Sequence, residues 1–268
     1  DIVNVDFEFC EIKPIDFQGL KTLFGQTLAS DADDLDISGL ADDMIAHNAI
    51  GTTIKVEAAE GEEADPYAAM TLIDLAPGDR AAEAAEAVAG FKRYLLSRCG
   101  PRATRPLPSA LRAVLSQPDA RAAYLFNERL INMPPQVVPS LLRLTMQEYG
   151  AAVQARPASA FQYFLLVSKT YTEVAAKVTE DGEDVAELVP TTTANKAVYR
   201  YHPEDDLFAK HATFRGAFAL KNSGVSDAKR AFQDLGIAPA RELLILTRPQ
   251  LDAAVAEITQ LLDAASAS

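Results

Sequence analysis

Cysteine is nearly absent from this chain: Cys10 and Cys99 are the only two in 268 residues. Two thiols cannot build a disulfide framework, so the plain reading is a pair of buried thiols in a reducing compartment. Long apolar runs are missing as well. No stretch approaches the about 20 residues that a membrane helix needs, and the first residues lack a basic segment followed by an apolar one. Membrane insertion and secretion are therefore disfavoured. Motifs for chemistry are equally scarce. There is no Gly-x-Ser-x-Gly elbow, no Gly-rich loop followed by Lys-Ser or Lys-Thr, and no dinucleotide fingerprint, so serine hydrolysis and nucleotide hydrolysis lack their usual parts. Of the 3 histidines, only His202 and His211 could meet, across Asp205 and Asp206. Two histidines and a few acids in a surface loop are common by chance, and they are read as a solvated loop. No catalytic, cofactor or metal-binding residue is assigned.

Positive charge is missing from one part of the chain only. Residues 1–80 hold 4 Lys and Arg against 18 Asp and Glu, whereas the remaining residues hold 21 against 20. The formal net charge of -13 thus lies wholly in the first third. Two runs concentrate it, Asp31–Asp36 and Glu57–Asp65, and a third acidic loop, Glu180–Asp184, comes later. Such a lopsided field attracts basic partners and repels nucleic acid. Acidic loops kept only for solubility are the blander alternative, which composition alone leaves open. Glu57, Glu60, Glu62, Glu63 and Asp65 are taken as candidate partner-binding residues.

What the chain does contain is an even alternation of strand and helix patterns, with half of it hydrophobic and no internal repeat. Val3, Val5, Phe7 and Phe9 alternate with polar residues as a half-buried strand would. Two helices follow. Asp16 is placed to cap the first, with Leu20, Leu23, Phe24 and Leu28 as its apolar stripe, and Asp36 or Ser38 to start the second. Thr52–Glu57 and Ala69–Leu75 predict a hairpin across the acidic loop, and Asp79–Arg98 a long helix. A basic, proline-punctuated connection near 99–118 contains a short apolar helix at Leu111–Leu115, which favours packing on the surface over a free tether. Further strands are expected at Phe161–Val178, Val198–His202, Thr213–Lys221 and Glu242–Thr247, and helices at Val225–Leu235 and Pro249–Ala265. Residues 1–268 read as one domain.

The most specific stretch is Asn127-Glu-Arg-Leu-Ile-Asn-Met-Pro-Pro-Gln136. Tyr124–Ile131 predicts a strand with its Leu and Ile in the core. Pro134 and Pro135 must end it, since proline has a fixed φ and no amide donor, and one of them can open the helix that Val138, Leu141, Leu142, Thr145, Tyr149 and Ala152 predict. Asn132 suits the turn. Glu128, Arg129 and Gln136 are either paired within the molecule or offered to a partner, so Glu128, Arg129, Asn132, Pro134, Pro135 and Gln136 join the candidate binding residues.

This decapeptide, together with Asn4-Val-Asp-Phe-Glu-Phe9, Asp16-Phe-Gln-Gly-Leu-Lys21, Gly51-Thr-Thr-Ile-Lys-Val56 and Asp65-Pro-Tyr67, resembles the BCCIP/Bcp family in order and spacing over most of the chain. Ala68 stands where that family commonly has glycine. The family tends to carry an acidic tail ahead of its first strand, and here the chain opens at Asp1, nearly on that strand. The resemblance implies an α/β fold, a mixed sheet flanked by helices, similar to the acetyltransferase fold called GNAT but without its cofactor loop. The letters of that loop do occur, at Gln147-Glu-Tyr-Gly-Ala-Ala152, but at the C-terminal end of a helix, where carbonyls rather than amides are exposed; Gly150 is read there as a helix terminator.

The resemblance further implies binding in place of catalysis, with no cofactor. Fungal members act in nuclear export of a lipid kinase and as chaperones of a basic large-subunit ribosomal protein, universal number fourteen. Animal members bind a breast-cancer susceptibility protein and a cyclin-dependent kinase inhibitor. The expectation is a monomeric escort of the ribosomal protein in nucleus and cytoplasm, with a phosphoinositide kinase and nuclear transport factors as further partners, and no direct contact with nucleic acid or membrane. Two alternatives stand beside it: a scaffold for cell-cycle or DNA-repair partners, and a divergent acetyltransferase.

Overall fold

The computed structural model describes residues 6–47, 49–56, 64–76, 78, 80–99, 107–117, 121–173, 197–221 and 237–266. In chain order these form β1 (Phe7–Glu11), α1 (Phe17–Leu28), α2 (Ile37–Ala46), β2 (Gly51–Val56), β3 (Ala68–Asp74), α3 (Ala82–Arg98), α4 (Leu107–Ser116) and β4 (Ala122–Arg129). There follow α5 (Val138–Ala155), β5 (Tyr163–Glu173), β6 (Val198–Arg200), α6 (Glu204–His211), β7 (Phe214–Phe218), β8 (Ile237–Thr247) and α7 (Arg248–Ser266). The expected helix at Val225–Leu235 and the acidic loops at 57–63 and 180–184 lie outside the described residues. Among the described residues, no helix is long and apolar enough to cross a membrane.

All eight strands join one sheet in the order β1-β2-β3-β4-β5-β8-β7, with β6 beside β5. Every pairing is antiparallel except β4 with β5, which is parallel and reaches only from Ala122–Tyr124 to Tyr163–Leu165. The period of two along the central strands divides the core cleanly. Tyr124, Phe126, Leu165, Val167, Leu243 and Ile245 face α1, α2, α3 and α4; Ala123, Leu125, Phe164, Leu166, Leu244 and Leu246 face α5, α6 and α7. Buried on both faces, these strands are nearly continuous in apolar residues. Phe24 of α1 stacks on Phe126 with centroids 5.0 Å apart, and Phe91 of α3 meets Tyr124 edge-on at 4.8 Å. α4 packs into the same core through Leu107, Leu111 and Val114, so the proline-rich connection carries an ordered helix.

Several local expectations need correction. Asp36 does cap α2 by accepting the Gly39 amide at 2.9 Å, but Asp16 makes no such bond to α1. Its carboxylate accepts the Lys13 amide and pairs with Lys55 Nζ at 2.6 Å, tying the approach to α1 onto β2. Gly150 does not end α5, which continues to Ala155. β8 extends five residues ahead of its expected start, through Pro239; among the described residues β7 pairs only with Arg241–Ile245 and the first part of β8 is bonded to β5 alone, where a missing amide is tolerated. Glu204–His211, expected to be loop, is helix. Pro203 precedes it, three acids fill its first turn and Lys210 and His211 its last, an arrangement the helix dipole favours. Cys99 is buried, with its thiol pushed up to about 12 by burial, whereas Cys10 is half-exposed.

The proline corner behaves as its residues dictate. β4 ends at Arg129, two residues early, and Leu130–Met133 forms a turn closed by the Met133 amide donating to the Leu130 carbonyl at 2.9 Å. Ile131, expected in the core, sits at the tip of that turn and is 93% exposed. Pro134 is extended at φ -67°, ψ 143°, and Pro135 opens one 3-10 turn that runs directly into α5. Replacing Pro134 and Pro135 together by alanine is expected to cost about 1–2 kcal/mol, because the unfolded chain regains freedom that the rings had removed. Urea denaturation measures it, and an unchanged midpoint would show that the corner is held by its neighbours and not by the rings.

Candidate functional site

Beyond Tyr124 and Leu165 the parallel strands β4 and β5 part, and the gap between them is where the chain gathers its buried charge. β6 pairs with Thr170–Thr172 of β5, on the side that β4 has left, since β8 occupies the other. The segment from Val198 to His211 is thereby wedged into the opening. His202, Glu204 and Asp205 are all buried in that wedge, and they meet Glu128 and Arg129 from the end of β4 and Ser168 and Lys169 from β5.

Each carboxylate there has a distinct environment. Glu128, 1% exposed, accepts from Thr27 Oγ1 at 2.9 Å, from the Arg129 amide at 2.9 Å and from Lys169 Nζ at 2.6 Å, with His202 Nε2 at 3.2 Å. Burial alone would raise its pKa; the hydrogen bond from His202 and the charge of Lys169 outweigh it and hold the group down at about 2. Glu204 is gripped by both terminal nitrogens of Arg129 and by Asn127 Nδ2 at 3.2 Å. Burial again opposes ionisation, and the guanidinium overrides it, keeping Glu204 below the ordinary carboxylate range. Asp205 has only Ser168 Oγ, at 2.7 Å, on one oxygen, while its other oxygen is buried without a partner. Burial, reinforced by the charge of Glu204, pushes Asp205 up to about 7 despite His202.

His202, Glu204 and Asp205 could each turn an atom toward one point, all within 4.8 Å. A cation does not fit there: Arg129 already fills both oxygens of Glu204, and His202 Nε2 faces Glu128. The two histidines do not meet, since His211 Nε2 lies 2.7 Å from Glu257 on α7.

Of the candidate partner residues, Glu128 and Arg129 prove to be engaged inside the molecule, because the wedge covers the end of β4. Asn132, Gln136 and Asp65 are exposed, Pro134 and Pro135 half-buried, and Glu57, Glu60, Glu62 and Glu63 lie outside the described residues. The sequence reading missed the wedge. Its signal was the proline followed by three acids and a short apolar pair, Leu207 and Phe208, the usual opening of a helix.

Helix N-termini offer bare amides to anions, and that of α5 follows Pro135, which lines the mouth of this gap. Prolines 134, 135 and 139 remove donors from it, the Val138 amide donates to Pro135, and the Val137 amide points to the Pro134 carbonyl at 3.4 Å. The loop-like letters at Gln147–Ala152 fall instead inside the C-terminal half of α5.

A mixed α/β protein with one parallel strand pair whose divergence is filled by the chain's own charged segment is the class the fold defines. The BCCIP family model matches residues 2–208, and the chain belongs to that family. It is 35% identical to protein bcp1 of Aspergillus fumigatus, over 97% of this chain and 87% of the relative, and 33% identical to protein bcp1 of Schizosaccharomyces pombe, over 98% and 92%. The fold is shared with the crystal structure of BCP1 from Saccharomyces cerevisiae, at a TM-score of 0.64 and 24% identity over 96% of this chain and 89% of that one.

Asp205 generates a pH prediction. Between about pH 4 and 7 the folded protein holds a proton on Asp205 that the unfolded chain has released, so stability falls as pH rises through that window and levels off above it. Asp205→Asn, which keeps an acceptor for Ser168, is expected to flatten this slope and to gain on the parent above pH 7. Parallel urea midpoints for the two proteins from pH 4.5 to 8 would contradict it.

Proposed function

We propose that this chain is a protein-binding chaperone or adaptor that escorts a basic ribosomal protein of the large subunit, universal number fourteen, and takes part in nuclear export and ribosome biogenesis. The charge of the first third is the observation that carries the reading. Its buried acids Asp16 and Asp43 take up Lys55 and Arg80, two of the four cations of residues 1–80. Asp6, Glu8, Glu11, Asp33, Asp34, Asp36, Asp42 and Asp65 are left on the surface. A newly made ribosomal protein presents a basic face built for RNA, and a carboxylate-rich surface can cover it until assembly. Asn132, Pro134, Pro135 and Gln136 are retained as candidate contacts at the proline corner, and nucleus and cytoplasm are the expected compartments.

Association with the ribosomal protein is expected to slow markedly between 0.1 M and 1 M salt, as the screening length falls from about 10 Å to about 3 Å. Neutralising Glu57, Glu60, Glu62, Glu63 and Asp65 together should lower the association rate while leaving stability within about 0.5 kcal/mol, since exposed charges contribute little to folding. Stopped-flow kinetics at low salt decides the matter. A variant that associates as fast as the parent would make those five acids solubilising, and salt-insensitive binding would favour the scaffold for cell-cycle or repair partners.

The sheet order, with two helices after the first strand and a single parallel pair, supports an acetyltransferase-like reading of the fold. The wedge between β4 and β5 and the prolines at the start of α5 argue against a cofactor there. Calorimetry with acetyl-CoA is therefore expected to give no defined isotherm. A one-to-one isotherm tighter than about 100 μM, about 5.5 kcal/mol of binding free energy, would restore the divergent enzyme as the better reading.

A further inference from the structure

The mouth of the gap between β4 and β5 remains open as a cleft of about 400 Å³, and its lining is unlike the rest of the molecule. In a chain of net charge -13, the described residues that line this cleft include Arg129, Lys169, His202 and Arg241 and no aspartate or glutamate. The acids that partner three of these groups, Glu128 and Glu204, lie behind them at 1% and 2% exposure. Lys169 is the half-buried cation at this mouth, with Arg129, His202 and Arg241 behind it at 5%, 7% and 4% exposure. Arg241 is paired directly with no carboxylate among the described residues: its hydrogen bonds go to the carbonyls of Gln26, Thr27 and Ala240, while Glu128 and Asp31 act on its charge from further away. Lys169 gives one hydrogen bond, to Glu128, of the three an ammonium can make.

Apart from Gln26 and Tyr201, the rest of the described lining is apolar. Pro135, Pro203 and Pro239 contribute to it, and beside them Ile131 stands at the tip of the turn that the Met133 amide closes. An isoleucine 93% exposed on a fixed turn has no role in the core. Held ahead of two prolines, it loses little freedom when a partner covers it.

We infer that this cleft docks an acidic, aliphatic segment of a partner protein, whose carboxylate faces Lys169 and Arg241 while its aliphatic side chains cover Ile131. The charge of the cleft makes this partner different from the basic one that the first third attracts, so the two docking events do not compete for one surface and can fail independently.

The test uses the full chain and a fluorescein-labelled hexapeptide of three Glu-Leu repeats, blocked at both ends, followed by anisotropy at low salt. Saturable binding is expected, with none for the peptide in which serine replaces glutamate. Ile131→Ser should weaken it by about tenfold or more, the loss of one covered aliphatic side chain, while the melting temperature stays put because Ile131 is 93% exposed. Absence of binding, equal binding of the serine peptide, or an Ile131→Ser variant that binds as the parent does would each overturn the inference. So would displacement of the peptide by pyrophosphate at equal concentration, which would make the cleft a site for free anions.

Discussion

Everything on the C-terminal side of the sheet depends on the point where β4 and β5 stop pairing. Three residues of each strand hold the parallel contact, and past it the edge of β5 and the charged end of β4 would face a void. The chain fills that void with its own later segment. β6 supplies the backbone partner that β5 lost, and α6 brings Glu204 to Arg129 and Asp205 to Ser168. The arrangement is conditional in a way apolar packing is not: removing either member of a buried ion pair leaves an uncompensated charge, at about 3–5 kcal/mol, although the intact pair contributes little net stability. Glu128 and Arg129 are thus fixed by what covers them, and what covers them is fixed by Glu128 and Arg129.

The same accounting shapes the surface. Buried acids in the first third draw on its few cations and reach outside it for more: Asp31 pairs with Arg98 at 2.5 Å and accepts from Tyr94 at 2.9 Å and from the Lys221 amide at 2.7 Å. Interior neutrality leaves the exterior one-sided. An acidic face and a cation-lined cleft on one small molecule are consequences of where the pairs are buried, and each is complementary to groups of the opposite sign.

Much of the architecture was legible because local patterns and the final fold agree. The stripe Leu20, Leu23, Phe24 and Leu28, the hairpin of β2 and β3 and the proline corner all rest on periodicity or backbone geometry that a few neighbouring residues determine. The wedge was not legible for the opposite reason. His202, Glu204 and Asp205 are polar, so pattern alone assigns them to solvent, and only contacts across about 75 residues to Arg129 reveal that they are interior. Ile131 failed in mirror image: apolar residues next to a strand are read as core, but its turn points it outward. The acidic run around Glu57–Glu63 could be named from composition, and composition is silent on what it touches.

The charge states within the gap bear on what the site can do. A general base needs an accessible lone pair and a pKa near neutrality. Glu128, held at about 2 by the donors around it, has neither, and Glu204 is shut in by a guanidinium. Asp205 does sit near neutrality, but it is fully enclosed, with no route by which a substrate could reach it without displacing α6. Apart from one oxygen of Asp205, the carboxylates of Glu128, Glu204 and Asp205 are therefore occupied by donors within the gap. The cations and the apolar residues that line the mouth suit recognition.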